Sequence, residues 1–153
     1  MKTLAFLTFF FVLAGSAAGQ AMNPGYDPEL AKSLGADDYG MKLYVMVILK
    51  TGSNTLEDKT ILDSLFAGHL ENIGRLANMG KLIVAGPLGK NENSYRGIFI
   101  LNVTSFEEAN ELLQTDPAIK DKIFETELYN WYGSAALPEY LKFHETIEKY
   151  KIQ

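Results

Sequence analysis

Residues 67–88 read AGHLENIGRLANMGKLIVAGPL, which parses as the end of a helix, a turn and a strand. Leu62, Leu65, Phe66, Leu70, Ile73, Leu76 and Ala77 recur at helical spacing, and Gly80 stands where the helix must stop in a left-handed conformation. Lys81 to Val84 opens a strand that runs on to Leu88, interrupted at Gly86-Pro87. Proline cannot donate to a ladder, so this bend belongs at a sheet margin with its backbone presented to a cavity. His69 is the polar exception on the stripe of Leu62, Leu65, Ile73 and Leu76, and a histidine on that stripe faces the sheet.

Working outward, the helix that ends at Met79 is predicted to begin at Leu56. Before it, Lys42 to Lys50 (KLYVMVILK) is apolar at nearly every position, the pattern of a strand covered on both faces. After the strand ending at Leu88 and the polar loop Gly89 to Tyr95, Arg96 to Val103 (RGIFILNV) reads as a third strand. Ser105 followed by Glu108 has the capping-box signature and opens a helix to about Gln114, which Asp116-Pro117 ends. A turn through Lys122 leads to a last strand, Ile123 to Tyr132, in which Phe124, Thr126 and Leu128 alternate with Glu125, Glu127 and Tyr129. Pro138 begins a terminal helix with the stripe Tyr140, Phe143, Ile147 and Tyr150.

This order predicts an α+β fold, the ferredoxin-like split βαβ arrangement: an antiparallel sheet with two main helices on one face. Because Lys42 to Lys50 and Arg96 to Val103 are apolar on both sides, the other face would expose more apolar surface than a monomer tolerates. A homodimer in which two sheets pack face to face, a dimeric α+β barrel, covers it economically. The terminal helix is the alternative cover.

Four segments follow. Residues 1–20 carry Lys2, the apolar run Leu4 to Leu13 and the small residues Gly15 to Gly19, the pattern of a signal peptide. The mature protein is therefore expected to be exported, periplasmic or secreted, with no membrane association after cleavage. Residues 21–41 form a leader with a short helix capped by Asp27 and Pro28 and stopped by Gly35. Residues 42–133 form the α+β domain, and 134–153 the C-terminal helix.

Composition narrows the chemistry. The absence of cysteine removes disulfides, thiol catalysis and the best zinc ligands, and two histidines argue against a transition-metal site, although carboxylates could still hold a hard cation; no metal site is assigned and no cofactor is predicted. The net charge of −5 becomes one unit more negative once Lys2 is removed, and no Lys/Arg cluster offers itself to phosphate, so nucleic acid is not a partner. No P-loop, dinucleotide fingerprint or serine nucleophile elbow is present.

His69 alone reads first as a core histidine hydrogen-bonded to backbone, and Asp116 as the cap of the turn that follows it. Gly86 and Pro87 could present backbone to a ligand, although a bulge that only curves the sheet has the same signature. Trp131 could line a ligand pocket, although aromatics on a final strand also serve as core or dimer contacts. His144 lies among Lys142, Glu145 and Glu148 and reads as part of a solvated face.

Taken in order, several features resemble the YCII-related family. They are His69-Leu70 in a helix, Gly80 with the strand into Ala85-Gly86-Pro87-Leu88, a strand at Gly97, Ser105-Phe106-Glu107-Glu108-Ala109, Asp116-Pro117 and an aromatic last strand. The resemblance spans about Tyr44 to Tyr132. It implies a small dimeric α+β barrel and acid/base chemistry through a histidine–aspartate dyad, whose positions fall on His69 and Asp116. The family's Arg and Pro before the histidine are replaced here by Leu65-Phe66-Ala67-Gly68, and Ala118 stands where a tyrosine is usual, which implies a different substrate.

A carboxylate bonded to one imidazole nitrogen sets the tautomer and leaves the other nitrogen to exchange a proton. The resulting expectation is an exported acid/base enzyme, an isomerase, a lyase or a catalyst of lactone chemistry, acting on a small molecule. The competing expectation is a non-catalytic dimeric module that binds a small ligand or supports another protein, with His69 as a satisfied core residue.

Overall fold

Alternate residues of the run from Met41 to Thr51 feed two different cores, and for that reason its centre, Leu43 to Leu49, is apolar. In the computed structural model, which describes residues 22–150, this run is strand β1 (Met41–Thr51). Val45, Val47 and Leu49 point to one side, where they meet Phe99 and Leu101 of β3 (Tyr95–Leu101) and Leu82 of β2 (Leu82–Pro87). Tyr44 points to the other side, against Ile83 and Ile100.

The sheet order is β2-β3-β1-β4, with β4 spanning Phe124–Ser134 and every neighbouring pair antiparallel. Helix α2 (Lys59–Asn78) contributes Leu76 to the first core, and α3 (Phe106–Leu113) contributes Ala109 and Leu113. Both main helices therefore lie on one face, and the fold is the expected ferredoxin-like α+β sheet. Burying a side chain of this size contributes about 1.5–3 kcal/mol, so the core outweighs any single cap or ion pair.

The helix ends follow local chemistry. Gly80 has φ 66°, and the amides of Gly80 and Lys81 donate back to the carbonyls of Ala77 and Leu76, so the glycine stops α2 as expected. Helix α2 starts at Lys59 rather than Leu56, because the Asp58 carboxylate accepts from the amides of Thr60 and Ile61. Ser105 caps α3 through the Glu108 amide, but the Glu108 carboxylate pairs with Lys81 at 2.7 Å instead of closing a capping box. Asp27 caps α1 (Pro28–Leu34), and Gly35 ends it at φ 70°.

Three further boundaries differ from the sequence reading. The segment after Asp116 holds a one-turn helix, α4 (Pro117–Lys120), where a plain turn was expected. Strand β4 runs to Ser134, since β1 offers it partners as far as Met41. The terminal helix begins as a 3₁₀ turn at Leu137–Tyr140 and becomes α5 at Leu141–Ile147. Its expected stripe is not buried: Phe143 and Ile147 are exposed, and Leu137 and Leu141 pack on the Tyr44 cluster instead.

That packing covers one end of the second sheet face. Farther along, Met46, Ile48 and Ile98 stay half-buried and Tyr129 exposed, bordered by the Lys50–Glu127 ion pair at 2.7 Å. The expected signal peptide lies outside the described residues.

Candidate functional site

Helix α2 turns His69 toward the sheet, where its ring stacks on Phe99 (centroids 6.0 Å apart) and tilts against Phe124 (5.2 Å). Both rings come from strand positions whose alternation directs them to the helix face. His69 is 9% exposed, and Asp116 beside it is 1% exposed. A buried carboxylate is tolerated only with its oxygens satisfied, and those of Asp116 are divided between two tasks. Oδ1 accepts from the amides of Ala118 and Ile119, capping α4, and Oδ2 lies 2.6 Å from His69 Nδ1. Since a carboxylate can only accept, Nδ1 carries the proton and Nε2 is the nitrogen left to exchange one.

The contact depends on how closely α4 approaches α2. A Cβ placed on Gly68 would lie 2.7 Å from Pro117 Cγ, so only glycine before His69 lets Pro117 and Asp116 come this near. Beside it, buried Asn72 ties the two segments together. Its Oδ1 accepts from Arg75 Nη2 at 2.7 Å and lies 3.0 Å from Thr115 Oγ1, the neighbour of Asp116. Arg75 Nη2 also donates to Thr115 Oγ1 at 2.6 Å.

His69 lines a cavity of about 560 Å³ between α2 and strands β2 and β3. Its wall is mostly apolar, with Leu49, Ile73, Phe99 and Phe124 around the imidazole, a volume and lining suited to a small molecule. Gly86 and Pro87 also line it, from edge strand β2, where Pro87 pairs with Gly97. Gly97 allows that approach, since a Cβ there would lie 2.9 Å from the Gly86 carbonyl oxygen.

Thus the structure brings His69, Asp116, Gly86 and Pro87 together at or beside one cavity. Trp131 is not among its residues. It pairs with Tyr44 across β1 and β4, and strand alternation puts both on the opposite sheet face, their rings 5.5 Å apart. Conversely, His144 and Glu148 of the C-terminal segment reach the cavity, as does Arg96. No local pattern places His144 there, because its position depends on where Leu141 docks. Among the described residues, no group of three or more His, Asp or Glu side chains forms a metal-ligand set.

The model of the YCII-related domain matches residues 43–132. The chain belongs to that family. His69 and Asp116 both fall inside the YCII-related segment, whereas α5, with His144, lies beyond its end. Among solved structures, the chain is similar to 5-chloro-2-hydroxyhydroquinone dehydrochlorinase from Burkholderia phenoliruptrix, determined in complex with 2,5-dihydroxybenzoquinone. The two share 20% identity over 57% of this chain and 92% of that one, with a TM-score of 0.42. No curated protein matches the sequence.

Proposed function

We propose that this YCII-related protein is an acid/base enzyme acting on a small molecule, with His69 as the proton-transfer group and Asp116 as its positioning residue. The observation that carries the reading is the 2.6 Å contact between Asp116 Oδ2 and His69 Nδ1 beside an apolar cavity. In such a site Nε2 takes a proton from a carbon next to a carbonyl, whose C–H electron pair becomes an enolate. The imidazolium formed is stabilised by Asp116 and returns the proton at the same or another carbon, or delivers it to a leaving group. Isomerisation, elimination and lactone chemistry all use this step. Water would compete for the base in an open site, and the apolar wall of Leu49, Ile73, Phe99 and Phe124 limits its access.

The test is hydrogen exchange in D₂O over a panel of small cyclic ketones, enols and lactones, followed by NMR. Wild-type protein exchanges or converts at least one member, and His69→Gln does not. Equal behaviour of the two proteins supports the second reading, a binding module in which His69 is a satisfied core residue.

The protein is also proposed to act as an exported homodimer. The apolar run Leu4 to Leu13, followed by small residues, supports export, and mass spectrometry of protein from the outer fractions tests it by locating the cleavage near residue 20. The half-buried Met46, Ile48 and Ile98 beside exposed Tyr129 support a second copy packed on the uncovered sheet face.

A further inference from the structure

The chain has two histidines, and both line the same cavity. His144 belongs to α5, outside the residues matched by the family. Its placement follows from how the helix is anchored. Leu141 packs against the Tyr44–Ile83 cluster, and the Tyr140 hydroxyl donates to the Ile83 carbonyl of edge strand β2. With the helix tied down at that end, residues three and four apart form one stripe, and Leu141, His144 and Glu148 all line the cavity. The apolar Phe143 and Ile147 are exposed and do not line it.

We infer that His144 is a substrate-contacting specificity residue of the His69 site, selecting a small molecule with an apolar body and a hydrogen-bonding group at each end. The inference rests on the reading of His69 as the acid/base group. The lining combines many apolar side chains with a few polar ones. His69 sits among Leu49, Phe99 and Phe124, while α5 brings His144 with Glu148, its Oε2 3.7 Å from His144 Nε2. Arg96 is the other charged residue of the lining, its Nε donating to Thr51 Oγ1 at 2.7 Å. His144 keeps its Glu148 neighbour and about half of its side chain in water, so a ligand polar only beside His69 forgoes a hydrogen bond at His144. One with a second hydrogen-bonding group gains that bond, and the gain sets its preference over the analogue that lacks the group.

The experiment uses 4-hydroxybenzoate and benzoate as probes, with dissociation constants from calorimetry and imidazole resonances from NMR. It compares the wild-type chain, His144→Leu and Thr146→Ala, the last a control on the exposed side of the same helix. Wild type and Thr146→Ala bind 4-hydroxybenzoate about fivefold to tenfold more tightly than benzoate, the worth of one hydrogen bond, and His144→Leu loses that preference. A preference that survives in His144→Leu, or no preference or no binding in wild type, overturns the inference. If the preference survives while the His69 resonances still respond to both probes, only the role of His144 has failed. The acid/base reading fails separately, when His69→Gln keeps the exchange activity.

Discussion

Gly68 of α2 and Pro117 of α4 pack so closely that a Cβ on the glycine would lie 2.7 Å from the proline Cγ. The residues that follow them, His69 and the α4 helix capped by Asp116, are held in register by that contact. Gly74 of the same helix has no atom within 4 Å of its notional Cβ. Alanine at Gly74 therefore gains helix propensity, about 1 kcal/mol, without a clash. Alanine at Gly68 gains the same but overpacks the α2–α4 contact at a cost of about 1–3 kcal/mol, for a net loss of stability. Denaturant unfolding of the two variants should give shifts of opposite sign. Stabilisation by Gly68→Ala would show that the close approach is not needed.

Asp116 has two roles that substitution separates. Asparagine caps helices as well as aspartate does, so Asp116→Asn keeps α4 and most of the stability but cannot hold a proton on His69 Nδ1 as a carboxylate does. Activity in the exchange assay is expected to fall about 10²–10⁴-fold, with little change in melting temperature. Asp116→Ala loses the cap as well, costing about 1 kcal/mol more. Full activity in Asp116→Asn would contradict the positioning role.

Tyr132 and Asp37 supply a pH dependence away from the site. The Tyr132 hydroxyl donates to the Asp37 carboxylate, which pushes the phenol up to about 12 and, by the same bond, holds Asp37 below the ordinary carboxylate value. A raised folded-state value means that this contribution is fully present below about pH 10, the unfolded tyrosine value, and is lost as pH rises toward 12. At the acid end the sign reverses. The contribution is present above the ordinary carboxylate range and is lost as pH falls through the lowered value of Asp37. In Asp37→Asn, the late-titrating phenolate absorbance should move back toward pH 10 and the alkaline stability curve should flatten. An unchanged titration would mean that the bond does not persist in solution.

The uncovered part of the second sheet face gives an association prediction. Ile48 pairs with Ile98 on β3 and with Glu127 on β4, in the middle of that face. A charge there cannot be desolvated between two sheets without a partner, so Ile48→Asp should halve the mass seen by sedimentation at tens of micromolar while leaving the fold intact. A wild-type monomer at those concentrations would remove the dimer from the account.

Much of the fold was legible because it depends on local chemistry and on period. The left-handed Gly80, the caps at Asp27 and Ser105, and the two-sided run of β1 can each be recognised within ten residues. His69 was legible as a sheet-facing residue for the same reason, since helical spacing sets which side it takes. Its partner was reached only through the family resemblance, since no local pattern points to it. Asp116 lies 47 residues away, and an Asp-Pro cap looks alike whether or not its second oxygen has work to do. The placement of Trp131 failed on register, because whether an odd-numbered residue of β4 faces the helices depends on which β1 residue it opposes. The solvated reading of His144 agrees with its 53% exposed side chain, whereas its place at the cavity was not legible, because nothing local indicates that Leu141, rather than Phe143 or Ile147, is the residue that docks.

The central claim, that Asp116 sets His69 up as a proton-transfer group, is tested most directly by ¹⁵N NMR of the histidine rings in wild type and Asp116→Asn. In wild type, neutral His69 should carry its proton on Nδ1 with Nε2 bare. In the variant the carboxamide can turn its NH₂ toward Nδ1, which shifts the proton to Nε2. A wild-type His69 protonated at Nε2, or the same tautomer in both proteins, would contradict the account.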